Sequence, residues 1–196
     1  MRTRDVNKEA AVKKKAVKLL AKDGFEGFSM NKLANACGIS VATLYIYYED
    51  KDDLIKKLGV EIGEKFFNET IKDYSPKMSF KEVLRKQWEN RARFGLKYPD
   101  EVACYETILH STHGEYVFAH TTGKYTNAMK SFFMNAYERN ELSPASTEVF
   151  WAVAYGPLYT LLRFHTEGKA IGGKPFKLTN KIMDEAFELT LKALTP

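Results

Sequence analysis

Ser40, Val41, Ala42 and Tyr45 follow closely on a glycine, Gly38, and combine two hydroxyl donors with two small apolar groups. That mixture suits the edges of DNA bases, where a hydroxyl bonds a donor or acceptor and an aliphatic group packs on a thymine methyl. Upstream, Ser29 and Lys32 open a separate helix, where a hydroxyl, an ammonium group and the first backbone N–H groups favour a phosphate. Chemistry of other kinds is thin. Gly-rich phosphate loops, Gly-x-Ser-x-Gly elbows and His-Glu-x-x-His pairs are absent, so no enzyme and no catalytic residue are expected. His110, His113 and His120 have no Cys or carboxylate cluster at ligand spacing, so neither metal nor cofactor is expected.

Those residues need a rigid mount, and the surrounding chain predicts one. Ser29 is a helix N-cap flanked by Phe28 and Leu33, the hydrophobic pair that fixes the angle at which the chain starts the helix. Ser40 repeats the pattern with Ile39 and Leu44. Between them Cys37-Gly38 provides a left-handed exit, and Ala34, Ala36 and Gly38 let two helices approach closely. The result is a helix-turn-helix over about residues 29–48, whose second helix meets base edges with Ser40, Val41, Ala42 and Tyr45.

The run Gly38-Ile39-Ser40-Val41-Ala42-Thr43-Leu44-Tyr45-Ile46-Tyr47-Tyr48, followed by Lys51-Asp52-Asp53-Leu54, resembles the N-terminal domain of the tetracycline-repressor (TetR) family of one-component regulators. The resemblance covers residues 10–58, about a quarter of the chain, and beyond it the family keeps its fold but not its ligand. It implies an all-α, nine-helix TetR-like fold: a three-helix head at 1–57 and an effector-binding and dimerisation domain at 58–196. It also implies that Thr43, Tyr47 and Lys51 bind phosphate. Tyr48 is read as core. Val41 departs from the Lys or Arg of many relatives, so A·T pairs are favoured there.

Charge agrees with that placement. Residues 1–57 hold 12 Lys and Arg against 8 Asp and Glu, whereas 58–196 hold 18 against 17. The basic excess therefore sits with the motif, where phosphates would be neutralised. The polar start MRTRDVNKEA is no signal peptide, no window is apolar enough for a membrane span, and Cys37 and Cys104 suit a reduced cytoplasm as small buried groups.

Along the rest of the chain, helical spacing and caps predict helices at 7–22, 50–74, 79–98, 99–109, 115–140, 144–165 and 179 onward. Asp23-Gly24 ends the first, Ser75-Pro76 breaks the fourth, Ser79 and Glu82 form a capping box, and Ser143-Pro144 opens the penultimate helix. Trp88, Arg91, Tyr105, His110, Phe133, Tyr137, Trp151 and Tyr155 are the expected effector-pocket residues. An arginine buried there would favour a carboxylate, but nothing in the sequence singles one out. By the resemblance, the last two helices pair with a second copy. Ala152, Gly156 and Thr160 and the Ile182 to Ala193 seam fit that role, although an internal core stripe reads the same way. The expected function is a homodimeric repressor that leaves palindromic operator DNA when an unidentified small effector moves the fourth helix. A helical interaction module that does not use DNA is the alternative.

Overall fold

The computed structural model describes residues 6–196, apart from Pro76 and the side chain of Lys124. The first five residues of the polar N-terminus, and the proline expected to break the fourth helix, thus lie outside the described residues. Ten α-helices follow in order: α1 (Val6–Gly27), α2 (Met30–Cys37), α3 (Val41–Leu44), α4 (Lys51–Thr70), α5 (Phe80–Lys97), α6 (Pro99–Leu109), α7 (Gly114–Thr121), α8 (Gly123–Glu138), α9 (Thr147–Glu167) and α10 (Asn180–Leu194). A single 3-10 turn, Ile171–Gly173, separates the last two. Among the described residues the fold is all-α, as expected, with one helix more than the count of nine.

The extra helix comes from the expected 115–140 segment, which breaks between α7 and α8. Thr121 and Thr122 turn their hydroxyls back onto Val117 and Phe118 carbonyls, at 2.8 and 2.9 Å. Such back-bonding competes with the helix ladder, and Gly123 follows at once. Elsewhere the boundaries shift by a few residues. α1 is interrupted at Gly24 (φ 62), where it was expected to end. α4 stops at Thr70, whose hydroxyl bonds the Phe67 carbonyl, and not at Tyr74. Ser146, rather than Ser143, caps α9, and that helix runs on through Pro157. The Ser79–Glu82 capping box forms reciprocally: Ser79 N–H donates to Glu82 Oε2 at 2.8 Å, and Glu82 N–H to Ser79 Oγ at 3.3 Å.

By packing, the chain divides into two compact units. The first holds residues up to Lys65 together with Tyr98–Gly123, and the second Phe66–Lys97 with Lys124–Pro196. This division differs from the expected boundary at 57/58, because α6 packs on α1, α7 packs on α6, and both meet α4. The first core gathers Val12, Leu20, Leu33, Leu44, Leu54, Leu58, Ile62, Cys104, Ile108 and Val117. Burial, with Glu101 nearby, pushes the Cys104 thiol up to about 12, so it stays protonated and acts as an apolar filler. Cys37 is only half-buried.

Two glycines one turn apart on α4 allow that packing. A Cβ on Gly59 would lie 2.8 Å from Val117 Cγ2, and one on Gly63 would lie 2.6 Å from Thr121 Cγ2 and 2.9 Å from the Tyr105 ring. Both positions are buried, so the neighbours have little room to yield. Gly63→Ala is expected to lower stability by about 1–2 kcal/mol, because overpacking outweighs the roughly 1 kcal/mol that alanine gains over glycine in a helix. Urea denaturation of the full chain checks this, and an unchanged or raised midpoint would contradict the close approach.

Candidate nucleic-acid interface

α2 and α3 form the expected helix-turn-helix, and the backbone between them shows why it is rigid. Ser29 sits in an extended conformation and its Oγ accepts the Lys32 N–H at 3.2 Å. At the other end Gly38 adopts φ 65, its N–H bonding Asn35 O at 3.1 Å while Ile39 N–H bonds Ala34 O at 3.1 Å. These two bonds make a Schellman ending, and Ile39 completes it by packing on the core that holds Leu33. Two residues later Ser40 caps α3, its Oγ accepting the Thr43 N–H at 3.3 Å and lying 2.9 Å from the Thr43 hydroxyl. α3 is a single turn, extended to Tyr48 by Tyr47 N–H and Tyr48 N–H bonds to Leu44 O. Leu44 is fully buried and anchors it.

What α3 leaves outside is the candidate reading surface. Ser40 and Ala42 are exposed, Tyr45 is 52% exposed, and Val41 is half-buried with one side on the core. Ile46 is also exposed. Tyr47 departs from expectation: it is 5% exposed and lies within the head core, its ring 6.4 Å from that of Tyr48. An aromatic that follows a one-turn helix is drawn inward by the apolar area it buries, so the phosphate role is not carried forward for Tyr47. Tyr48 is core, in keeping with its expected place.

The cationic and hydroxyl candidates are each held in position. Lys32 is exposed and its Nζ bonds the Gly27 carbonyl at 2.8 Å. Lys51 is half-buried, donates to the Phe28 carbonyl at 3.2 Å, and lies 5.9 and 5.7 Å from the Phe25 and Phe28 ring centres. Its alkyl stem and charge thereby tie the start of α4 to the segment before α2. That start is fixed by two side-chain caps, from Asp50 and Asp53. Asp53 N–H bonds Asp50 Oδ1 at 2.7 Å, and Glu49 N–H bonds Asp53 Oδ2 at 3.0 Å. Partial burial works to raise the Asp53 carboxyl, but the hydrogen bonds from Lys57 and Glu49 hold it below the usual aspartate range.

The expected effector residues do not form one group. Tyr105 and His110 belong to the first unit, where Tyr105 lies 3.4 Å from the Thr121 hydroxyl and the exposed His110 folds back onto the Glu106 carbonyl. In the second unit Trp88 is core: its indole N–H bonds Ala154 O at 2.7 Å and its ring meets Phe187 edge-on. Phe133 packs against Phe150, and Tyr137 is exposed. Arg91, Trp151 and Tyr155 do come together. Gln87, Tyr125 and Tyr159 join them and were missed, although Gln87 and Arg91, and Trp151, Tyr155 and Tyr159, are spaced by four along α5 and α9. An open groove of about 590 Å³ lies in the first unit instead, among charged residues such as Lys13, Glu61, Lys65 and Glu101, and borders none of the expected eight.

Residues 12–58 match the family described as bacterial regulatory proteins, tetR family. An uncharacterised HTH-type transcriptional regulator of Haemophilus influenzae is 30% identical over 73 residues, 37% of this chain and 39% of that protein. The fatty acid metabolism regulator protein of Bacillus subtilis is 29% identical over 69 residues, 35% of this chain and 36% of that protein. The chain thus aligns with less than two-fifths of the length of these curated relatives. Over its whole length it is similar to the crystal structure of a TetR family transcription regulator from Marinobacter aquaeolei, at 27% identity and a TM-score of 0.83, covering 99% of this chain and 98% of that one.

Ser40→Ala removes the α3 cap and the partner of the Thr43 hydroxyl, and is expected to lower stability by about 1 kcal/mol with the fold intact. Circular dichroism paired with a denaturant titration measures it; a loss below about 0.3 kcal/mol would mean the cap does not hold α3.

Proposed function

We propose, from the premise that the chain belongs to the TetR family of transcriptional regulators, that it is a homodimeric repressor which binds palindromic operator DNA and releases it when a small molecule enters the second unit. It acts by binding and not as an enzyme. The observation that carries this reading is the braced α2–α3 pair, with Ser40, Ala42 and Tyr45 facing outward from a helix whose other side is buried.

In the proposed complex, Ser40, Val41, Ala42 and Tyr45 meet base edges in the major groove. Ser29, Lys32, Thr43 and Lys51 hold the flanking phosphates, with Lys32 and Lys51 exchanging a carbonyl partner for a phosphate. Two such heads must sit about 34 Å apart to read successive grooves, which requires a dimer. α9 and α10 pack together within the second unit, and what they leave uncovered supports a self-interface. Ala152 and Thr160 are exposed, a Cβ on Gly156 would meet nothing within 4 Å, and Leu189 is 65% exposed. Leu158 and Leu162, by contrast, are buried within the unit. The Ala152–Gly156–Thr160 stripe is therefore not an internal core stripe. Small residues along one face let a second copy's helices come close. α4 contributes residues to both compact units, so an effector that repacks the second unit acts on the head through one continuous helix. No described helix is long and apolar enough to cross a membrane. With DNA as the partner, the cytoplasm is the proposed location.

Three measurements test this. Selection from a random duplex pool is expected to return a palindrome with A·T pairs opposite Val41; an essential G·C pair there would overturn the proposed readout. Lys32→Ala is expected to reduce the slope of log affinity against log salt by about 1, and Tyr45→Ala to weaken specific binding by about 1–3 kcal/mol with the slope unchanged. Light scattering at micromolar concentration is expected to give a dimer, and Ala152→Asp a monomer with lost operator affinity. A monomeric parent protein would remove the basis for palindrome recognition.

A further inference from the structure

In the second unit a full positive charge is shut away with no negative charge beside it. Arg91 on α5 is 1% exposed, and none of the described ion pairs involves it. Its Nη1 donates to the Tyr159 hydroxyl, and its Nη2 to the Tyr125 hydroxyl at 2.9 Å and, at 3.4 Å, to Gln87 Oε1. Gln87 Oε1 is shared, also accepting from the Tyr155 and Tyr125 hydroxyls. The Nε–H has no acceptor. Around the guanidinium stand the rings of Tyr155 at 4.1 Å, Trp151 at 5.1 Å, Phe66 at 5.2 Å, Tyr125 at 5.7 Å and Tyr159 at 5.9 Å.

An arginine stays charged at any physiological pH, so its burial calls for a counter-charge. Tyr155, whose ring lies closest, does not provide one. Burial pushes the Tyr155 phenol well above its ordinary range, and the Arg91 charge only partly opposes that, so the hydroxyl stays neutral. The unmet donor is also telling. Nε–H and Nη2–H together form the side-on edge of the guanidinium, the fork that takes a carboxylate in two parallel hydrogen bonds. The hydroxyls that now meet the guanidinium are single-point acceptors, easily exchanged for a carboxylate oxygen. The cage also reaches the surface of the unit. Trp151 is 39% exposed, and its ring lies 5.1 Å from the guanidinium and 4.8 Å from the Tyr155 ring. Trp151 thus both faces the guanidinium and reaches solvent.

We infer that Arg91 is the anchor for a small organic carboxylate with an apolar body, the carboxylate on the Nε–Nη2 edge and the body against Trp151, Tyr155 and Phe66. This rests on the proposed effector-binding function and gives the effector its chemical class. A cation in an aromatic cage strengthens its hold on an anion by excluding water, while the rings offer nothing to a strongly hydrated inorganic ion. A neutral analogue of the same shape would leave the charge unmatched, so discrimination between acid and amide is the signature.

The test uses the full-length protein without DNA, titrated with benzoate and hexanoate, then with benzamide, hexanamide and inorganic phosphate, while tryptophan fluorescence is followed, with Trp151→Phe as the control that assigns the signal to Trp151 rather than Trp88. The expected result is saturable quenching by the carboxylates at least tenfold tighter than by the amides or phosphate, lost in Arg91→Met and weakened in Arg91→Lys. Equal binding of acid and amide, preference for phosphate, or carboxylate binding undiminished in a folded Arg91→Met would each overturn the anchor. Because the acid-against-amide comparison is made on the unaltered protein, it stands even where Arg91→Met does not fold. Failure of all carboxylates in a protein that still selects an operator overturns the anchor alone. Carboxylate binding by a protein that selects no DNA supports the anchor and removes the repressor reading.

Discussion

The left-handed turn at Gly38 is the constraint on which the head depends. A φ of 65 is open to glycine and strained for nearly everything else, and here it allows both Gly38 N–H and Ile39 N–H to reach back to α2 carbonyls. With those bonds made, the chain has only Ile39 and Ser40 in which to turn before Val41 begins α3. The tilt of α3 is then set at both ends, by Gly38 before it and by Leu44 in the core after it. A four-residue helix has almost no stability of its own, since nucleation uses up what a single turn of hydrogen bonds provides. Its order is borrowed from α2 and from the core.

Preorganisation of the same kind extends to the polar side chains. Thr43 is paired with Ser40, Lys32 with Gly27, and Lys51 with Phe28 and two aromatic rings. Each group is held by its neighbours, so little side-chain entropy would remain to be lost at the proposed phosphate contacts. The Asp50–Asp53 pair does the same for the first turn of α4. Tyr47 marks the limit of this surface. Its neighbour Tyr45 stands outside, and Tyr47 turns in to fill the space beneath α3.

The second unit shows the opposite economy. Isolating a charge from water costs several kcal/mol, and ring faces and neutral hydroxyls recover only part of that. Packing an apolar residue at position 91 would have been the simpler solution for stability. Retaining an arginine there makes this part of α5 and α9 sensitive to whatever supplies a negative charge, and the partly exposed ring of Trp151 stands beside it.

Sequence alone determined the local features. The caps at Ser29 and Ser40, the glycine exit at Gly38, the Ser79–Glu82 box and the all-α character depend on residues a few positions apart, and spacing reports such interactions directly. Tertiary packing decided the rest. Whether Tyr47 faces water, whether α6 and α7 pack with the head, why Gly59 and Gly63 are glycines, and which arginine among several is buried all depend on residues far apart in the chain. A periodic pattern names the face of a helix but not what covers it. For that reason the helix-turn-helix that carries the proposed reading surface was legible from the sequence, while the cluster around Arg91 became visible only once α5, α8 and α9 were packed together.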